Sequence, residues 1–304
     1  MMWNLRRARI FFADQFNHES LTRRAHYGTL TIIAATAFGI LMIANVSVAS
    51  AAVNVCSKTI TACGCSITTA GVYTVEQDLT FAPGVGDCIA IGAKNVALNL
   101  NGHNLTGPGK ASTGAGIHLK KIVSVSIEGQ GTASQPSIIS AWKYGIENEG
   151  SDVLIENIDA TSNATAGIYF FKANNSQVVN FNSSNNSGYG VWLSSGANNQ
   201  VGTGTTTNNV LDGVFVGCVG NGSGGCASTG GNAKSNIIYN MTSNTNGDGG
   251  ITIQFNSDFN QIGKCTASGN GTTDLIDSHS GANNCAHDLW FANSPGTVNK
   301  SCVQ

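Results

Sequence analysis

A histidine, a glutamate and a tyrosine occupy matching places in three successive sequence repeats. His118 lies in Gly116-Ile-His-Leu, Glu147 in Gly145-Ile-Glu-Asn and Tyr169 in Gly167-Ile-Tyr-Phe. Side chains of these types move protons. Abstracting a proton beside a carboxylate needs a base such as His, Tyr or Lys, and a positive or hydrogen-bonding group to stabilise the charge that develops. Lys120, two residues after His118, shares its outward face and is a candidate for that second role. Trp192 and Phe215 hold the same place in the next two repeats, so Tyr169, Trp192 and Phe215 read as an exposed aromatic stripe. Sugars stack their C–H faces on such rings, and a row of rings suits an extended polysaccharide. The competing reading is plain in-register packing, because aromatic residues favour strands and pair with like neighbours.

Other chemistries fit less well. A glycoside hydrolase needs two carboxylates flanking the bond. Asp274 and Asp277, with His279, offer such a pair, but their segment resembles the closing end of a known β-helix family, and that resemblance implies a capping role. His103 follows Asn101-Gly102 and reads as a turn residue. No metal-ligand set is assigned. No cofactor is assigned, and calcium stays a candidate: Asn244-x-Asn246-x-Asp248-Gly249 has the spacing that opens a calcium loop, but Phe255 stands where a bidentate Glu is required. That run reads as a turn.

These residues are positioned by a repeat. A Gly followed by alternating apolar residues recurs at Gly116, Gly145, Gly167, Gly190, Gly213 and Gly250, with intervals of 29, 22, 23, 23 and 37 residues. A second alternating run follows each about ten residues later, as in Asp152-Val-Leu-Ile-Glu-Asn-Ile. Alternation indicates strands with one buried face, and the Asn, Gly and Ser between them supply turns. Such short strands cannot bury a face alone, but stacked coils can. The expectation is an all-β, single-stranded right-handed parallel β-helix of about eight coils, about 40 Å long at the usual strand spacing. In the Gly-Φ-x-Φ strands the x position faces outward, placing His118, Glu147, Tyr169, Trp192 and Phe215 in one column. Asn157, Asn180, Asn208 and Asn240 are expected at turns, stacked as an amide ladder.

Composition agrees. Of 304 residues only 11% are charged, against roughly 25% in ordinary domains. With 38 Gly, 4 Pro and 41% hydrophobic residues, neither disorder nor a helical bundle fits. A net charge of −2 without a basic patch argues against nucleic acid. All five arginines precede an apolar stretch from about Leu30 to Val48, and Ala49-Ser50-Ala51 resembles a signal-peptidase site. Residues 1–51 therefore read as a signal peptide, with an N-terminal anchor as the alternative; 52–86 as a cap; and 87–304 as the β-helix with a disulfide-pinned closure. From Ala52 onward ten lysines face fifteen acids and no arginine, a net of −5. After signal cleavage no membrane association is expected, and the protein is secreted, periplasmic or on the cell surface.

All nine cysteines follow the leader, and export makes disulfides the default over zinc. Cys218 with Cys226 and Cys285 with Cys302 are candidate pairs, while Cys63 or Cys65 could reach Cys88. The odd one is free or pairs outside the chain.

Asp87-Cys88-Ile-Ala-Ile and Asn95-Val-Ala-Leu-Asn-Leu-Asn-Gly-His103-Asn-Leu-Thr-Gly107 resemble the opening coil of bacterial exported β-helix repeat proteins of the pectate-lyase-like superfamily. Asn284-Cys285, Trp290, Asn293 and Thr297-Val-Asn299-Lys-Ser-Cys302 resemble their closing segment. That resemblance spans roughly residues 60–304. It implies the fold and a polysaccharide or envelope glycan as partner, with lyase or epimerase chemistry if the protein is an enzyme. The alternative function is a non-catalytic surface scaffold or adhesion protein, which the scarcity of ionisable residues and the missing arginine favour.

Overall fold

The computed structural model describes residues 30–34, 42–46, 54–81, 86–131, 135–218, 233–280, 285 and 287–303. The chain divides into Met1–Ala52 and Val53–Gln304. In the first unit Leu30–Ala34 pairs antiparallel with Met42–Val46. The expected cleavage site lies outside the described residues. No helix among the described residues is long and apolar enough to cross a membrane.

The second unit is a parallel β-solenoid. Each turn contributes one strand to a nine-stranded sheet that runs from Cys65–Ile67 to Leu275–Asp277. The return strands form a sixteen-stranded sheet. There are about nine turns rather than eight. The additional one contains Cys65–Ile67, which pairs in register with Ile89–Ile91 and follows Gly64, with Cys65 in the place that Ile117 holds on a later turn.

Alternation sets the core. Ile117, Ile146, Ile168, Val191, Val214 and Ile251 stack in register on successive turns, each fully buried. Each such side chain contributes about 1.5–3 kcal/mol on leaving water. The repeat glycines permit the close turn. At Gly190 a Cβ would lie 2.5 Å from the Gly213 carbonyl oxygen and 2.8 Å from Asn209 Nδ2.

The turn asparagines do adopt left-handed backbone, with φ of 56° at Asn157, 52° at Asn180, 55° at Asn208 and 50° at Asn240. The amide ladder is built from other residues. Asn163, Asn186, Asn209, Asn246 and Asn270 pass their side chains inward, each donating backbone and side-chain N–H groups to the next carbonyl. This ladder ends on Asp274, whose second oxygen accepts from Thr297 N at 2.7 Å and Thr297 Oγ1 at 2.9 Å. A second ladder runs through Ser176, Asn199, Asn236 and Asn260 to Asp288. Inward asparagines must satisfy buried backbone at the corners, whereas the left-handed ones face outward and have no such duty.

Disulfides join Cys56 to Cys65, Cys63 to Cys88 and Cys285 to Cys302. Cys226, of the expected pair with Cys218, lies outside the described residues. Cys265 is a free, buried thiol, and burial pushes it up to about 11, so it stays protonated and inert.

Candidate functional site

The outward column on the nine-stranded sheet runs Ala90, His118, Glu147, Tyr169, Trp192, Phe215, Thr252 by strand register. Its chemistry concentrates where the acidic and basic members meet. Asp87, just ahead of Ile89–Ile91, anchors the group. One of its oxygens accepts from Ala115 N at 3.0 Å; the other lies 2.9 Å from His118 Nδ1 and 3.4 Å from Lys120 Nζ. The opposite ring nitrogen, His118 Nε2, is buried without a hydrogen-bond partner and stands 3.9 Å from Glu147 Oε2. Glu149 completes the cluster, its carboxylate within 4.8 Å of the His118 and Glu147 donor atoms. Sequence reasoning missed Asp87 as a member, because it belongs to the preceding turn and lies outside the Gly-Φ-x-Φ motif.

The electrostatics divide these groups by role. Burial opposes ionisation of Asp87, but the His118 hydrogen bond, the Ala115 amide and Lys120 together hold its carboxyl below the usual range. Burial alone would lower His118; the Asp87 hydrogen bond and the charges of Asp87 and Glu147 outweigh it, so the imidazole is raised. Burial, with Glu149 and Asp87 nearby, raises Glu147. Tyr169 is also raised, chiefly by burial, so its phenol stays protonated. Tyr144 is pushed up to about 12 by burial and the Glu147 charge.

The aromatic stripe is not exposed as the sequence suggests. Tyr169 is 7% and Trp192 8% exposed, and Phe215 is half-buried. A neighbouring column supplies Tyr144 and Tyr189, which close over the row. Tyr169 lies 4.7 Å from the Tyr144 ring and 4.3 Å from Trp192, while Tyr189 stacks 5.0 Å from Phe215. Trp192 Nε1 donates to the Gly217 carbonyl at 2.9 Å. The result is a second apolar cluster on the outside of the sheet, with Phe171, Tyr189 and Phe215 as its partly open edge. Lys120 is half-exposed at the other end of the column.

The remaining candidates are placed elsewhere. His103 faces Asp78 at 3.5 Å in a turn. Asn244 and Asp248 are used in bonds to the next turn, through Ser268 and Thr272. Asp277 and His279 belong to a buried cluster at the closing end, where burial raises Asp288 to about 6.

No family model and no curated protein matches this sequence. Among solved structures the chain is similar to the periplasmic alginate epimerase AlgG at 14% identity, covering 78% of this chain and 68% of that one, with a TM-score of 0.45. It is similar to a mannuronan C-5 epimerase A-module from Azotobacter vinelandii at 13% identity, 72% and 68% coverage, and a TM-score of 0.39. The Dettilon tailspike protein is similar at 17% identity, 69% and 42% coverage, and a TM-score of 0.47. The likeness is one of fold, and the chain spans about two thirds of the epimerase structures and less than half of the tailspike.

Proposed function

We propose that the protein is an exported β-helix that binds an acidic polysaccharide along the nine-stranded sheet and abstracts a proton from it at His118. The observation that carries this reading is the state of one imidazole. Its Nδ1 is held by Asp87, and its Nε2 has no partner. With the proton on Nδ1, the Nε2 lone pair has no hydrogen-bond partner, and it takes the hydrogen beside a uronate carboxylate once the neighbouring Glu147 side chain swings away to uncover it. An oriented base of this kind contributes ~10²–10⁴-fold to rate.

The other groups follow from their charge. Lys120 stands where an ammonium can meet the substrate carboxylate as enolate charge develops. Glu147, the carboxyl nearest His118 Nε2, passes on the proton that His118 takes. In β-elimination the C–H pair flows into the enolate, the C–O bond beyond it breaks, and that proton caps the leaving oxygen. In epimerisation a proton returns to the same carbon from the opposite face. Tyr169 serves as a neutral donor or as packing, since its phenolate is disfavoured. The partly open ring edges of Phe171, Tyr189 and Phe215 extend the column in the direction a glycan chain would run. The three disulfides joining described residues suit an oxidising compartment, which supports export.

A panel of uronate polymers, with and without added calcium, tests lyase action through the ultraviolet absorbance of the unsaturated product. No product from any polymer would remove that reading. The burial of Tyr169 and Trp192 favours a second one, a non-catalytic scaffold whose aromatic cluster is structural. Affinity electrophoresis separates the two: unretarded wild-type protein in every glycan gel supports the scaffold, and retardation weakened by Phe215→Ala supports binding.

A further inference from the structure

We propose that the last turn of the solenoid holds a divalent transition-metal ion of the zinc class, ligated by Asp277 Oδ1, His279 Nδ1 and Asp288 Oδ2. The site lies inside the coil. Asp277 occupies the inward row that the preceding turns fill with Phe170, Leu193, Val216 and Ile253. Its side chain and that of Asp288 are both fully buried, and His279 is nearly so. Buried carboxylates are retained where a cation or a full set of donors compensates them.

Donors account for Asp277. It accepts from the His279 amide at 3.0 Å, from Trp290 Nε1 at 3.2 Å and from Lys300 Nζ at 3.4 Å. They do not account for Asp288. Its Oδ1 closes the second amide ladder, accepting from Asn260 N at 2.7 Å and Asn260 Nδ2 at 3.2 Å, a task that asparagine performs on every earlier rung from Asn199 onward. Its Oδ2 has no hydrogen-bond partner and lies 3.5 Å from His279 Nδ1. The contrast with Asp274 is informative. That residue also ends a ladder, but Thr297 occupies its second oxygen. At Asp288 the second oxygen is aimed at a histidine instead.

The geometry suits a metal. Zinc bonds of about 2.0–2.2 Å to N and O donors place tetrahedral ligand atoms about 3.3–3.6 Å apart. Here Nδ1 is 3.5 Å from Asp288 Oδ2 and 2.8 Å from Asp277 Oδ1, and each of the three residues offers a ligand atom within 4.8 Å of the other two. The shorter separation opens by about half an ångström as the Nδ1 proton leaves to solvent and the metal replaces it. On the far side of the ring, Nε2 faces Asp258 Oδ1 at 3.2 Å, and Asp258 is itself held by Lys234 at 3.7 Å. A carboxylate on the second nitrogen fixes the tautomer that presents Nδ1 to a metal. Three protein ligands leave a fourth position for water. The ion would tie the final strand to the Cys285–Cys302 segment, locking the closure of the rod.

The test titrates ZnCl₂ into purified protein stripped with a chelator, reading the melting temperature and bound zinc per chain. The expected result is a rise of several degrees that saturates, with one zinc lost in Asp288→Asn. This variant keeps the Asn260 bonds and removes only the unpartnered charge, so its metal-free melting temperature should equal or exceed that of wild type. Asp258→Asn should weaken zinc by roughly 10–100-fold while leaving a binding signal. Unchanged melting of wild type with Zn²⁺, zinc binding unaffected by Asp288→Asn, or stabilisation by Ca²⁺ alone would each overturn the proposal. The wild-type titration decides even if a variant fails to fold.

Discussion

The two nitrogens of His118 have different surroundings, and the chemistry follows from that difference. Asp87→Asn removes the charge that raises the imidazole and allows the amide to donate to Nδ1, which moves the ring proton to Nε2. Activity on a uronate polymer should then fall by about 10²–10⁴-fold, the range of a lost general base, with little change in apparent affinity. Steady-state kinetics of the variant would show it. Because the working form of His118 is neutral and its value is raised, the acidic limb of the rate profile should lie above the ordinary histidine value of 6.5. The same pair shapes stability with the opposite sense at each end. The raised His118 stabilises the fold below 6.5, and this is lost as pH rises through its folded value; the lowered Asp87 stabilises it above 3.8, and this is lost as pH falls through its own. His118→Ala should therefore reduce the melting temperature most between those two values. His118, Glu147 and Tyr169 were legible in the sequence because alternation and the repeat glycine fix their face and register. Asp87 was not, since it contributes from an adjacent turn through a residue outside the motif.

At the scale of the coil, the stacking unit is an inward amide as much as an aliphatic row. Asn209 Oδ1 accepts from Asn186 N and Nδ2, and its own Nδ2 donates to Asn246 Oδ1 at 2.9 Å and to the Ser183 carbonyl at 3.0 Å. Asn209→Leu would strand these buried groups, with an expected loss of about 2–4 kcal/mol from the unsatisfied donors and acceptors. Asn208→Asp, one residue away on an outward turn with φ of 55°, should cost under about 1 kcal/mol, since Asp tolerates left-handed backbone almost as well. Chemical denaturation of both variants checks the contrast. The sequence predicted a ladder but placed it on the outward asparagines. Asparagine is so common here that composition cannot separate the two kinds. The distinguishing signal was present: Asn163, Asn186, Asn209 and Asn246 each stand four residues before a repeat glycine. The aromatic column misled for a related reason. Tyr144 and Tyr189 come three residues before Glu147 and Trp192, so a period-2 reading did not reveal that they fold over it.

At the scale of the whole second unit, about nine turns of parallel strands leave two ends that need protection, and the disulfides among the described residues lie there. Cys56–Cys65 and Cys63–Cys88 staple the first turns, and Cys285–Cys302 the last. The 17-residue separation of the last pair predicts a loss of about 3 kcal/mol for Cys285→Ser with Cys302→Ser. Thermal melts with and without reductant would register it. The fold was legible at this scale because the coils repeat one pattern, while the ninth turn was hidden because its first inward position after Gly64 is the disulfide-bonded Cys65 instead of an aliphatic residue. What the rod does rests on His118. The most direct measurement is the fate of the hydrogen, followed by NMR in D₂O, on the carbon beside the carboxylate of uronate polymers incubated with the protein, because elimination and epimerisation both begin by breaking that C–H bond. The account predicts that wild-type protein removes that hydrogen, leaving deuterium there after epimerisation or a carbon–carbon double bond after elimination, and that the reaction is about 10²–10⁴-fold slower with His118→Ala. No reaction at that carbon in any polymer, or a rate indifferent to His118→Ala, would contradict it.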